Sequence, residues 1–396
     1  MNTVIKNPVF QNVFIAFAFV VGIFVSCLFV AEENRPTFIF YMIMLGSSMF
    51  TAFMADSAES PKTQRFFLFV TIVILGYVFA FRAQTGIDDK VYMYQFNNIG
   101  NQSFFSFLFS TNNEKGYLAL VYFLYHITGG NYDIAQIIIS YISFVFFGIA
   151  MNRCKGFCDY SIMVLFIWAL YYPIIMGAGL VRIFLAVPIV FVGVTFLFTD
   201  KYKKFVICII LASLFHISAL IILLLLLIRI NKKFIYNNWG VLIVIISFLM
   251  PLLLWGLARF VIPLLGSRYF GYLNTSGFSI SIGQFDVLPI VLLGIVCKYK
   301  INNDDREKYT IGLMLASLSI VFSISSSVVN IGRTVFFGNI GTLLVCSSIC
   351  KTKVSKWYDY LIVFIIVVYA FVYMMYTGYL QTTHLTNLFP YRSIWD

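Results

Sequence analysis

The residues with chemical potential in this sequence are grouped in a few short stretches. The first runs Arg82-Ala-Gln-Thr-Gly86-Ile-Asp88-Asp89-Lys-Val-Tyr92-Met-Tyr94 and carries two adjacent carboxylates. Neighbouring carboxylates push their proton affinities apart, which suits one of them to act as a general base or to orient a hydroxyl. The same pair has the chemistry to hold a divalent cation with substrate phosphates. It also fits a plain helix start, where acidic side chains meet the positive end of the dipole. Tyr92 and Tyr94 add ring faces and hydroxyls of the kind sugars use. Glu114, just ahead of Gly116-Tyr117, is a further acid candidate, and equally a helix N-terminal charge.

The cationic candidates come later in the chain. Arg182 lies in Met-Gly177-Ala-Gly179-Leu-Val-Arg182-Ile-Phe-Leu-Ala186, where two glycines allow backbone or ligand to approach closely. Arg333, in Val-Asn-Ile-Gly-Arg-Thr, has a similar setting. Arginine binds phosphate through a planar, bidentate fork, although a charge at a span end can also merely snorkel to the interface. His216 sits in Ala-Ser-Leu-Phe-His216-Ile-Ser-Ala, inside an apolar stretch. An ionisable group at such depth is a functional candidate by default, able to donate to a phosphate oxygen or a leaving diphosphate. Arg268 and Tyr272, in Arg268-Tyr-Phe-Gly-Tyr272, read as an interfacial segment over a site, or as part of an ordinary aromatic belt.

The elements that must position these groups follow from composition. Of 396 residues 61% are hydrophobic and 11% charged, more apolar surface than one soluble core can hide. The chain is therefore expected to be an all-α polytopic integral membrane protein, a single transmembrane domain over 1–396. Spans are expected near 9–30, 37–55, 66–82, 132–151, 160–177, 181–199, 239–258, 284–299, 309–329, 334–350 and 358–378, about eleven in all. The net charge of +11 is scattered through short loops, as membrane topology demands, so it does not indicate nucleic acid. Cys154-x-x-x-Cys158 lacks a second ligand pair, and no metal site is expected from the cysteines.

Two apolar pieces, 116–130 and 205–228, need separate treatment. The second is flanked by Lys201/Lys203/Lys204 and Arg229/Lys232/Lys233, and a single helix of this length, about 36 Å, would cross once and strand one cluster outside. A re-entrant hairpin over 205–228, tip at Leu214–Ser218, keeps both inside. The first piece is expected as an external interfacial helix over 116–130. This arrangement leaves external loops at 82–131 and 259–285 and an external tail at 379–396, with the N-terminus cytoplasmic and the C-terminus outside. It places 14 Lys and 4 Arg inside against 2 Lys and 7 Arg outside. Insertion explains the inner set. It does not explain an outer set dominated by arginine, which points to anion recognition on that face.

No nucleotide-binding loop, dinucleotide fingerprint, Ser-His-Asp order or zinc signature is present, so no cofactor is expected and the driving energy must arrive with the substrate. A sugar carried on a lipid diphosphate meets that need, with outer Arg and His groups stabilising the leaving charge. The succession Arg82…Gly86-x-Asp88…Tyr94, Glu114-x-Gly-Tyr, Gly-x-x-Arg182-x-x-x-Ala186 and Ala-Ser-Leu-Phe-His216-x-Ser-Ala resembles the EpsG family of polysaccharide polymerases, relatives in role of the Wzy O-antigen polymerases. The resemblance covers roughly 65–345 and implies a GT-C-like helical bundle in a bacterial inner membrane. It implies a glycosyltransferase that joins undecaprenyl-diphosphate-linked oligosaccharide donor and acceptor for O-antigen, capsule or exopolysaccharide, with membrane lipid and a chain-length regulator protein as partners. Catalytic roles would fall to Asp88, Asp89, Arg182 and His216, and substrate binding to Arg82, Arg333, Glu114, Tyr92, Tyr94, Arg268 and Tyr272. The family commonly has a single Asp followed by an aromatic where this chain has Asp88-Asp89. A flippase for the same lipid-linked sugar, or a ligase moving finished glycan, are the other readings. Against the flippase, the sequence has no internal repeat and its charges gather on one face.

Overall fold

The computed structural model describes residues 8–83, 86, 88–110, 114–229, 234, 237–242, 245–246, 249, 285–325, 332–352, 356–380 and 391–395. Among them the chain is helical, with no β-strand and one isolated bridge, Arg82 to Ser393. The hydrophobic runs become α1 (Pro8–Phe29), α2 (Arg35–Ser57), α3 (Pro61–Ala80), α7 (Tyr132–Arg153), α8 (Tyr160–Ala178), α9 (Val181–Leu197), α11 (Leu288–Cys297), α12 (Arg306–Ser325), α13 (Val335–Lys351) and α14 (Trp357–Met374). Among the described residues five stretches, Glu32–Ser57, Pro61–Ala80, Tyr132–Arg153, Asn303–Ser325 and Trp357–Thr377, are long and apolar enough to cross a bilayer. The expected span at 284–299 is shorter than anticipated. Pro289 in the first turn sets the start of α11, and ten residues give only about 15 Å before the helix tightens into a 3-10 turn over Lys298–Lys300. The span expected at 239–258 lies almost wholly outside the described residues.

Helix α8 is the axis of the bundle. Its residues 160–172 are apolar on every side apart from Tyr and Ser hydroxyls, and all of them are buried. A helix without a polar face belongs inside, and α2, α13 and α14 pack around it. Helices α12 and α13 form the closest pair, their backbones meeting where Gly338 and Gly341 face Ser319 and Ala316. Small residues at such a crossing let dispersion forces hold helices together where lipid removes the hydrophobic drive. Several buried hydroxyls are satisfied within their own helices: Ser48, Ser140, Ser317 and Ser347 each donate to the carbonyl four residues back. The lysine-rich end is tied by Lys351 to Asp56 at 2.5 Å and by Gln64 to Asn152 at 3.2 Å.

The chain between 202 and 229 doubles back on itself. Helix α10 (Tyr202–Ser213) ends at Leu214, turns through His216, and returns as a 3-10 helix, Ile217–Arg229, packed along α10 and α9. Three residues per turn stack every third side chain, and the buried stripe of the returning arm is Ala219, Ile222 and Leu225.

At the opposite end from the lysines a small second core forms. Helices α4 (Asp89–Asn97), α5 (Phe104–Ser110) and α6 (Lys115–Ile127) bury Tyr92, Phe96, Phe107, Tyr117 and Leu118 against Ala135 and Ile139 of α7 and Val181 and Leu185 of α9. The segment expected to lie outside as one helix over 116–130 is thus α6, about 20 Å long and too short to cross.

Candidate active site

This small core brings the starts of α4, α6 and α9 to one place. Arg82 follows the end of α3 and is held in extended backbone by the chain's last described residues. Ala83 N donates to Arg392 O at 2.7 Å, and Ile394 N donates to Phe81 O at 3.0 Å. Trp395 stacks on Phe81 at 5.0 Å, and the Tyr391 hydroxyl donates to Val78 O at 3.2 Å. The guanidinium of Arg82, 1% exposed, forms a bidentate pair with Asp89, itself fully buried; the Nη2–Oδ1 distance is 2.8 Å.

Asp89 also accepts from Gly86 N at 2.8 Å and closes against the turn before α9. A side chain at Gly179, where φ is +69°, would lie 2.9 Å from the Asp89 carboxylate, and one at Gly86 would lie 2.6 Å from the Gly179 backbone. Neither glycine can be replaced without parting these loops. Both Asp89 oxygens are engaged, so Asp89 and Arg82 clamp the loop. Successive residues at a helix start point about 100° apart, and for that reason Asp88 faces elsewhere. Its carboxylate is 31% exposed and lies 3.7 Å from Arg333, which is 48% exposed in the 3-10 turn Gly332–Thr334 ahead of α13.

A third ion pair joins α9 to α6. Arg182 Nη1 lies 2.5 Å from Glu114 Oε2, its Nε donates to the Tyr92 hydroxyl at 3.3 Å, and its guanidinium sits 5.9 Å from the Tyr92 ring centre. The other oxygen of Glu114 accepts from Ile217 N at 3.4 Å, just past the hairpin tip. Tyr117 N donates to Leu214 O at 3.2 Å, so α6 and the tip are joined through backbone as well. His216 lies in that turn, outside any spanning helix. Its Nδ1 is 2.5 Å from the Ser218 hydroxyl and its ring meets Phe337 edge-on at 6.3 Å. Burial lowers the His216 pKa to about 4; Glu114 opposes this, and Arg182 and Arg333 add to it. The imidazole is therefore neutral near pH 7. Burial also raises the Tyr92 and Tyr117 hydroxyls above their ordinary value, so both remain protonated donors.

Asp88, Tyr92, Glu114, Arg182, His216 and Arg333 thus converge from five separate segments. Tyr94 does not join them: it lies on the far face of α4, 71% exposed. Arg268 and Tyr272 lie outside the described residues. Tyr117 also belongs to this core, and its one signal in the sequence is its place three residues after Glu114, where a helix repeats its face. Tyr132, which meets Phe96 edge-on at 5.5 Å, has nothing in its sequence surroundings to mark it. No group of three or more His, Cys, Asp or Glu side chains placed to hold a metal ion occurs among the described residues.

Fold and site together define a polytopic membrane protein with a partly buried arginine–carboxylate cluster at one end of its bundle. Residues 65–393 match the EpsG family model, most of the chain, and the protein belongs to that family, whose members are polymerases of the Wzy kind. The match runs past the resemblance at 65–345 and takes in residues 391–393 of the tail that braces Arg82. No curated protein and no solved structure matches the chain.

Proposed function

We propose that the protein joins oligosaccharide repeat units carried on a polyprenyl diphosphate, at the arginine-bearing face of a bacterial inner membrane. The observation that supports this best is the convergence of Arg182, Arg333 and His216 around two carboxylates on that face. The cations bind the donor diphosphate, displacing Glu114 and Asp88 as their partners. Ser218 donates its hydroxyl proton to His216 Nδ1, which leaves Nε2–H to donate to a phosphate oxygen. Asp88 accepts the proton of the acceptor hydroxyl. The acceptor oxygen bonds to the donor's anomeric carbon as the bond from that carbon to the phosphate oxygen breaks. The lipid diphosphate leaves with the electron pair and the extra negative charge, which Arg182 and Arg333 stabilise.

Asp88 takes the base role because Asp89 is locked to Arg82 and Gly86 N, and Glu114 stays tied to Ile217 N, whereas the Asp88 carboxylate is 31% exposed and is released when the diphosphate takes Arg333. Replacing Arg182 with Lys keeps the charge but loses the fork, and should cut chain growth at least about tenfold if one charge-assisted bond of about 1.5–3 kcal/mol to the transition state is lost. Unchanged glycan length in a variant that inserts normally would remove Arg182 from the site.

A further inference from the structure

The residues ahead of the family match carry a site of their own. Helix α1 is fastened to α14, with Phe14 meeting Tyr360 at 5.4 Å and Phe19 meeting Phe371 at 5.6 Å between ring centres. It stands off from α2, and the gap is a groove of about 340 Å³ lined by Val13, Ala16, Phe19, Gly46, Met49 and Phe50. The hydroxyl at its floor, Ser161 of α8, is already spent on Met49 O at 3.1 Å. The lining is mostly apolar and gives water little to bond, and a space of this size left empty forfeits packing on both walls.

Depth says what fills it. The lining of α2, from Gly46 to Phe53, lies about 6 to 17 Å from that helix's end at Ser57, which reaches from near the surface to about the middle of a hydrocarbon core roughly 30 Å thick. The groove is continuous with outward apolar surface: Phe17 is 59% exposed, Val20 61% and Phe50 62%. Below it, at the lysine-rich end, Lys62 and Arg65 stand exposed at the start of α3, where cations attract anionic headgroups. We infer that the α1–α2 groove binds one acyl chain of an anionic phospholipid from the leaflet at the lysine-rich end, with Lys62 and Arg65 facing its headgroup. This site lies at the other end of the bundle from the arginine cluster and does not depend on the reaction proposed there.

The test uses the full chain in phosphatidylethanolamine vesicles containing a phosphatidylglycerol with a photoactivatable diazirine on its acyl chain. After illumination, label should concentrate on residues 13–19 and 46–53. Ala16→Trp with Gly46→Leu fills the groove; the Gly46 side chain would press on the Phe19 ring, 3.2 Å from the position of its first carbon. Labelling there should fall about tenfold, the equivalent of 1.4 kcal/mol of lost affinity. If that variant misfolds, Met49→Trp serves in its place. Phe24→Trp, on an α1 face 68% exposed and outside the groove, should leave the labelling unchanged. Label spread evenly over all outward residues would overturn the site. Competition by a polyprenyl phosphate but not by unlabelled phosphatidylglycerol would overturn the ligand. Disulfide-linked dimers of Phe50→Cys would give the groove to a second copy instead.

Discussion

Asp88 and Asp89 are neighbours in sequence, and their replacement by Asn should have opposite consequences. Asp89→Asn leaves the Arg82 guanidinium, 1% exposed, without its counter-charge. An uncompensated buried charge costs about 3–5 kcal/mol. At about 2 °C per kcal/mol for a large domain, the thermal midpoint should fall by about 6–10 °C. Asp88→Asn breaks only a pair 3.7 Å long between groups 48% and 31% exposed. Such pairs are worth less than about 1 kcal/mol, so the midpoint should stay within about 2 °C. Chain growth should nevertheless fall about 10²–10⁴-fold, the share a general base contributes. Size-exclusion melting of the detergent-solubilised protein reads the first quantity and glycan length the second. The buried pair has its own control: Arg82→Met with Asp89→Leu removes both charges and should recover much of the midpoint lost by Asp89→Asn. A stable but inactive Asp89→Asn beside a fully active Asp88→Asn would refute the assignment and exchange the two roles.

Other outcomes follow from the same geometry. Gly179→Ala forces a side chain into φ +69° and against the Asp89 carboxylate, so it should cost about 1–3 kcal/mol, seen as a lower melting midpoint. His216 has a folded pKa near 4, below its ordinary 6.5, so between these values the unfolded chain binds the extra proton and stability falls as the pH falls. Melting curves from pH 7 to pH 4 should show that loss in the wild type and a smaller one in His216→Gln; parallel curves would place His216 in water. Tyr391→Ala removes the hydrogen bond to Val78 O and ring contacts with Phe40 and Tyr41, and should cost about 1–3 kcal/mol. It should slow chain growth through Arg82 without touching substrate. Full stability in that variant would sever the tail from the site.

The helices were legible because lipid leaves a spanning segment few alternatives: length, apolarity and basic loops locate most boundaries within a few residues. The turn at Leu214–His216 was legible for an electrostatic reason, since basic clusters on both flanks forbid one crossing. The split between Asp88 and Asp89 was not legible. It depends on where α4 begins and on Gly179 coming to rest against Asp89, a contact between loops some ninety residues apart. Residues of like chemistry gave no sign of which was buried. The partner of Arg82 and the brace from 391–395 were hidden for the same reason, since backbone pairing between an α3 end and a distant tail leaves no local pattern. Arg182 and Glu114 were each marked by type and setting; that they pair with each other was visible only in three dimensions.

A gel of surface glycan from the native host, with and without the gene, shows whether this chain lengthens a glycan. The ladder should collapse to a single repeat unit without the gene and return with the wild-type gene but not with Asp88→Asn. A ladder that persists without the gene would contradict that expectation. So would loss of every repeat, the mark of a flippase, or full-length polymer stranded on its lipid carrier, the mark of a ligase.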